Sequence, residues 1–512
     1  MIRRTNSIGV ITILLVHVIL SPWYIYVAVF KSLHLLLLCV RASMIRIRKY
    51  VHTIALLPIT AACISLLCVF SCISDVRADD ENAVTPSSQP SEQSIEQDAL
   101  ENEQWAVHGQ LTNITQLNSH FTSPYSGPNS LNPNGPTEET TDLTLFAGRR
   151  LWSSAELWLN SEIDQGFGLD NTLGIAGFPS GGAYKIGADA PYLRIPRVFI
   201  RQVIPLGGTQ EKVEPAANQL GGAQASDNLT LTVGKFSVVD IFDANSYAHD
   251  PRADFLNWSV IDAGAFDYAA DSWGYTYGTA AEWSQGWWTL RGGIFQMSNV
   301  PNGKITAVDF NEYSVVGEME ARHQWLSHPG KLKLLAFVNR ARMANYADAV
   351  QLARETGGTP DVSLVRHYSS RPGIAFNMEQ ELSSDIDAFA RFSANDGSKE
   401  AYEFSDINQS LSSGLSIKGD RWERHDDTIG VSAVVNRLSG AAQEYFAAGG
   451  LGILIGDGRL NYAPEEIAEM YYSLNLRAHL AFTFDYQYIV NPAYNHDRGP
   501  VSIYGARFHA DF

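Results

Sequence analysis

Two runs near the C-terminus, LNLRAHLAFTFDYQY at 474–488 and YGARFHADF at 504–512, decide the fold. In the first, Leu474, Leu476, Ala478, Leu480, Phe482, Phe484, Tyr486 and Tyr488 fall at every second position. Asn475, Arg477, His479, Thr483, Asp485 and Gln487 take alternate ones. In the second, Tyr504, Ala506, Phe508, Ala510 and Phe512 alternate with Arg507, His509 and Asp511. A period of two puts such sets on opposite faces of an extended strand. A soluble sandwich would alternate as well, with its apolar face turned to a core. Charges on the opposite face instead predict the wall of a water-filled lumen, with the apolar face as a lipid-facing band. The chain also stops on an aromatic, Phe512, as bacterial outer-membrane barrels commonly do.

The pattern extends upstream. Glu156, Asn160, Glu162 and Asp164 oppose Leu157, Leu159 and Ile163; Arg197 and Arg201 oppose Val198, Ile200 and Ile204; Leu332, Leu334, Ala336 and Val338 oppose Lys333 and Asn339. Turn signals such as Ser383-Ser384-Asp385, Pro301-Asn302-Gly303 and Asp396-Gly397 separate the runs. Residues 105–512 therefore read as one all-β domain, a transmembrane antiparallel β-barrel. At roughly 10 residues per membrane strand, about 16 strands with long outer loops fit this length, and 22 are not excluded by it. Hydrophobic content of 45% and a mean hydropathy of −0.11 suit strands that are only half apolar.

The N-terminus carries an expected export signal. From Met44 the chain shows a basic start (Arg46, Arg48, Lys49), an apolar stretch to about Ile73, and Val76-Arg77-Ala78 ahead of Asp79, giving a signal peptide at 44–78. Residues 1–43 hold a second apolar stretch, Ile8 to Phe30. The simplest account is translation from Met44, with an extra anchor as the alternative. Residues 79–104 contain eight acids and no Lys or Arg, and read as an acidic flexible lead-in. All four cysteines (Cys39, Cys63, Cys68, Cys72) precede Ala78, so the expected mature part has neither disulfide nor thiolate metal site. Beyond Ala78 there are 29 basic and 54 acidic residues, a balance that argues against nucleic acid as partner.

Long stretches carry a family resemblance. GKFSVVDIFDANSYAHDPRADFLNWSVIDAGAFDYAADSWGYTYG (Gly234 to Gly278) resembles the signature region of carbohydrate-selective outer-membrane porins, the OprB-like family. ELWLNSEIDQGFGLDNTLGIAGFPSGGAYKIG (Glu156 to Gly187), FIRQVIPLGG (Phe199 to Gly208), GGLGILIGDGRLNYAPEEIAEMYYSLNL (Gly449 to Leu476) and the segment Tyr486 to Phe512 fit the same pattern. The resemblance implies a barrel of about 16 strands that passes small sugars such as glucose by facilitated diffusion, with outer-membrane lipid around it. A homotrimer is an open expectation.

A sugar's hydroxyls donate and accept, so a selective constriction needs charged or amide groups in place of water and aromatic faces for the ring's C–H side. The candidates are inward charges on early strands: Glu156, Glu162 and Asp164 on one face, Arg197 and Arg201 on another with Phe199 between them. Lys185 and Arg194 are assigned to a connecting segment after Gly181-Gly182. Acids and bases opposed across the pore would set up a transverse field. The segment Asp250-Pro-Arg-Ala-Asp-Phe-Leu-Asn-Trp258 brings Asp250, Arg252, Asp254, Asn257 and Trp258 onto an expected infolded loop, as a rim or as a self-paired anchor. Glu318, Glu320, Arg477, His479, Arg507 and His509 are further lumen candidates.

H-E-x-x-H and G-x-S-x-G motifs are absent, and glycine-rich Gly449 to Gly458 lacks a Walker lysine; a strand entering a tight turn explains it. No enzyme activity, cofactor or metal is expected. A general porin of low selectivity, a barrel enzyme acting on lipid or peptide, and a soluble glycan-binding β protein are the competing classes.

Overall fold

The computed structural model describes residues 102–183, 187–306, 309–404 and 406–512. The upstream apolar segment, the signal and lead-in residues 79–101 lie outside the described residues, as does Lys185. Sixteen strands follow one another: β1 (Trp105–Asn118), β2 (Thr137–Trp152), β3 (Ala155–Gly166), β4 (Ala188–Val213), β5 (Gly222–Phe236), β6 (Thr276–Gln285), β7 (Trp288–Gln296) and β8 (Tyr313–Trp325). Then come β9 (His328–Met343), β10 (His367–Ser383), β11 (Ile386–Asn395), β12 (Gln409–Lys418), β13 (Thr428–Arg437), β14 (Glu465–Arg477), β15 (Leu480–Val490) and β16 (Val501–Asp511). Each pairs antiparallel with its sequence neighbour, and β16 returns to β1, closing the barrel.

Closure leaves no open edge for hydrocarbon to meet. At the seam, Gly109 N donates to Phe512 O at 3.1 Å and Phe512 N donates back to Gly109 O at 2.9 Å. The Phe512 ring covers Gly109, where a Cβ would come within 2.3 Å of it. The terminal aromatic therefore fastens the last strand to the first.

Alternation holds in three dimensions. On β15, Phe484 is 58% exposed on the outer wall, whereas Thr483, Asp485 and Gln487 are buried inside. Trp105, Trp152 and Trp325 stay exposed near one rim and Tyr368, Tyr486 and Tyr504 near the other, as membrane-interface girdles do. One rim carries short turns and both barrel termini, the other the long loops, so the short-turn rim is periplasmic.

Some local expectations change. The run 474–488 is two strands, broken at Ala478 and His479, where His479 turns left-handed at φ 64°. Arg477 and His479 are consequently exposed at the rim, with His479 Nδ1 2.8 Å from Asp511, rather than in the lumen. Gly449 to Gly458 is irregular chain in the long β13–β14 connection after helix α2 (Gly440–Ala447); it holds no extended strand. An additional helix, α1 (Tyr346–Thr356), packs on α2 in the β9–β10 loop. Lead-in residues 102–104 are tied down: Glu103 N donates to Gly221 O, and Arg150 Nε donates to Glu103 O.

The β5–β6 loop, residues 237–275, folds into the lumen, as expected for its segment 250–258. An infolded loop must find partners for its main-chain groups. Barrel side chains supply them. Arg391 on β11 donates to the carbonyls of Asp243, Ala248 and Val260, and Arg507 on β16 to those of Pro251, Ala253 and Asp254. Glu469 on β14 accepts from Leu256 N and Asn257 N, Glu318 on β8 from Asp243 N. Apolar packing completes the hold: Phe255 meets the rings of Phe389 and Tyr471 edge-on at 5.3 and 4.9 Å.

Candidate functional site

The loop leans on β8–β11 and β14–β16, and on its other side Arg252 and Asp240 reach the wall of β2–β4. Here β3 projects Glu162 and Asp164 inward, and β2 projects Asp142 and Thr144. Arg194 on β4 bonds both Glu162 and Asp164. Arg252 from the loop reaches Asp142 at 3.1 Å and Glu162 at 3.5 Å, while Thr144 Oγ1 donates to Glu162 at 2.8 Å. Arg197 grips Asp240 with two hydrogen bonds of 2.6 and 2.8 Å.

Two expectations are corrected. Arg194 lies within β4 instead of the connecting segment, three residues from Arg197, a spacing that a regular strand would send to opposite faces. The β3–β4 ladder slips between Asn160 and Glu162, and this bulge turns both guanidiniums inward. The acids and bases also do not face each other across open water. They touch, because the loop carries Arg252 directly onto the β2–β3 carboxylates.

The contact sets what the passage presents. Side-chain exposure is 17% for Arg252, 9% for Arg194 and 16% for Arg197, against 1% for Glu162 and 0% for Asp164. Around Arg194 and Arg252 the guanidiniums stand in front and the carboxylates behind, whereas Asp240, at 29%, is more open than its partner Arg197. Arg194 lies over the rings of Trp273 and Tyr275 at 5.0 and 5.6 Å, and Arg197 over Tyr275 at 4.9 Å, within cation–π range. Trp273 Nε1 donates to Tyr192 Oη at 3.0 Å, steadying the indole.

Other candidates take different places. Glu156 and Arg201 pair at 2.8 Å further toward the periplasmic rim. Phe199 is buried edge-on to Phe236 at 6.2 Å, in the packed wall. Asp250 accepts from Arg252 N, and Asp254 accepts from His249 N and Asp250 N, so both cap their own turn. Burial alone would raise the Asp250 carboxyl, yet the Arg252 guanidinium and N–H hold it below the usual range. Asn257 is buried, donating to Gly177 O and Gln487 Oε1, and Trp258 stacks on Phe178 at 4.9 Å. Glu320 pairs with Arg291 and Arg322 in the β7–β8 wall. Asp142, Asp240, Tyr192, Trp273 and Tyr275 were not singled out from the sequence. Asp142 shows in the alternation of β2, but the aromatic residues carry no local signal that separates them from girdle residues.

A closed sixteen-strand antiparallel barrel, apolar outside, polar within and narrowed by an infolded loop, is a porin, a passive channel of the bacterial outer membrane. The family model of the carbohydrate-selective porin, OprB family, matches residues 129–512, and the chain belongs to that family. Among solved structures, the high-pH structure of Pseudomonas putida OprB superimposes with a TM-score of 0.61 at 16% identity, covering 80% of this chain and 94% of that one. The low-pH structure of the same protein gives 0.43 at 12% identity, over 80% and 93% of the two chains. No curated protein matches the chain.

Proposed function

We propose that the cluster of Arg194, Arg197 and Arg252 with Trp273 and Tyr275 is the sugar-selecting constriction, passing glucose-type mono- and oligosaccharides into the periplasm. The observation that carries this reading is the pairing of guanidinium faces with rings 4.9 to 5.6 Å away where the loop narrows the lumen. Guanidinium N–H groups can replace water around hydroxyl oxygens, and the half-buried Trp273 ring offers a surface to C–H bonds, with buried Tyr275 supporting the guanidiniums from beneath. The carboxylates behind neutralise the guanidiniums, so a neutral polyol gains hydrogen bonds without a strong pull on anions. Engagement must stay weak, since tight binding would stop flux. No step in this reading breaks or forms a covalent bond.

A planar-bilayer titration tests it. Glucose and oligosaccharides should block ion current saturably in the wild type, and Glu162→Ala should weaken block while leaving an open pore. Equal passage of non-sugar solutes of the same size would leave a general porin of low selectivity. The outer wall bears on assembly: Asn113 Nδ2 donates 2.8 Å to Thr141 Oγ1 on outward faces of β1 and β2, where hydrocarbon gives amides no partner. A second copy of the chain would cover this pair in a homo-oligomer, and cross-linking of an Asn113→Cys variant reads that contact directly.

A further inference from the structure

On the periplasmic side of the constriction the lumen holds a cavity of about 460 Å³ against β3–β6. Its floor comes from the chain between β4 and β5. Ahead of it, within β4, the β4–β5 ladder slips twice, between Pro205 and Gln210, and Gly207 and Gly208 take φ of 137° and 82°, which glycine adopts without strain. The following turn comes back into the barrel. Leu220 is 1% exposed and shares an apolar cluster with Trp158 and Phe146. Three hydrogen bonds latch the turn: Arg201 Nη2 to Asn218 O at 2.8 Å, Leu220 N to Glu156 Oε2 at 3.3 Å, and Arg150 Nη2 to Gly221 O at 3.1 Å.

The lining has a definite chemistry. Arg150 and Arg201 are balanced by Glu156 and Glu282, so the chamber favours neither a cation nor an anion. Between them stand amides and hydroxyls, among them Gln210, Gln219, Asn228, Thr230 and Ser284. Such groups both donate and accept, the complement of a polyol. Among the described residues no aromatic ring lines the cavity, which separates it from the constriction above. Its volume falls in the range of small-molecule sites, about 300–1,000 Å³.

We infer that this chamber is a second saccharide station, at the periplasmic exit, closed below by the latched turn at 214–221. The inference rests on the reading of the chain as a sugar channel. A solute leaving the guanidinium and aromatic constriction passes to hydroxyl-matching groups before release, which keeps each step shallow.

The test uses the full channel in planar bilayers, with glucose or maltose added to one side at a time. The quantity read is the ratio of half-blocking concentrations, periplasmic side over extracellular side. Gln210→Ala at the end of β4 and Thr230→Val on β5 should each raise that ratio threefold or more. Thr230→Val keeps a β-branched strand residue and removes only the hydroxyl, so it reports even where the β4 variant perturbs the turn that follows. A wild type that sugars block, with the ratio unmoved in both variants, overturns the exit station alone. A wild type that no sugar blocks from either side overturns the constriction reading as well.

Discussion

Arg507, on the last strand, donates through Nη1 at 2.7 Å to the main-chain carbonyl of Asp254, in the middle of the loop that fills the barrel. The same guanidinium also serves Pro251 O and Ala253 O, and it is 1% exposed. One wall arginine thus satisfies three loop carbonyls at once. Arg507→Ala would strand them, loosening the loop by about 2–4 kcal/mol. Single-channel recordings should show higher, noisier conductance and weaker sugar block; unaltered conductance would show that Arg391 and Glu469 suffice.

Arg252 links loop to wall at the constriction itself. Arg252→Ala removes the bridge to Asp142 and Glu162 and a guanidinium from the passage. Half-blocking sugar concentrations should rise about tenfold, equivalent to about 1.4 kcal/mol. Retained heat-dependent gel migration would confirm an intact barrel, and unchanged block would remove Arg252 from the sugar path.

The loop should also respond to pH. Burial pushes the Asp262 carboxyl up to about 7, with nearby Asp243 adding to the rise and His249 and Arg391 opposing it. A folded loop therefore binds this proton more tightly than a released one. The contribution is complete below the ordinary carboxylate range and is lost as pH climbs through about 7. Current noise should grow between about pH 5 and pH 8, and Asp262→Asn should flatten that dependence. The same slope in the variant would assign the effect to another group.

At the seam, deleting Phe512 removes two main-chain hydrogen bonds with Gly109 and the ring that covers it. A loss of about 2–3 kcal/mol is expected. It should appear as a lower temperature of barrel unfolding in detergent, followed by gel mobility or circular dichroism. No shift would mean that the rest of the β1–β16 ladder holds the seam unaided.

The alternation of Phe482, Phe484 and Tyr486 with Thr483, Asp485 and Gln487 determined by itself that these residues form strands with a lipid side and a lumen side, since a pleated chain turns successive side chains to opposite faces. It equally placed Glu162 and Arg507 inside. What stands across the lumen was undetermined. Glu162 meets Arg252 at 3.5 Å in the passage, while Arg507 is consumed in holding loop carbonyls, and nothing local to either residue separates the two fates. The single-residue slip in the β3–β4 ladder was equally hidden, yet it decides that Arg194 and Arg197 point the same way. Periodicity is a property of one strand and fixes a face. The partner on that face comes from the long loop, whose path depends on main-chain groups finding donors and acceptors more than two hundred residues away along the chain.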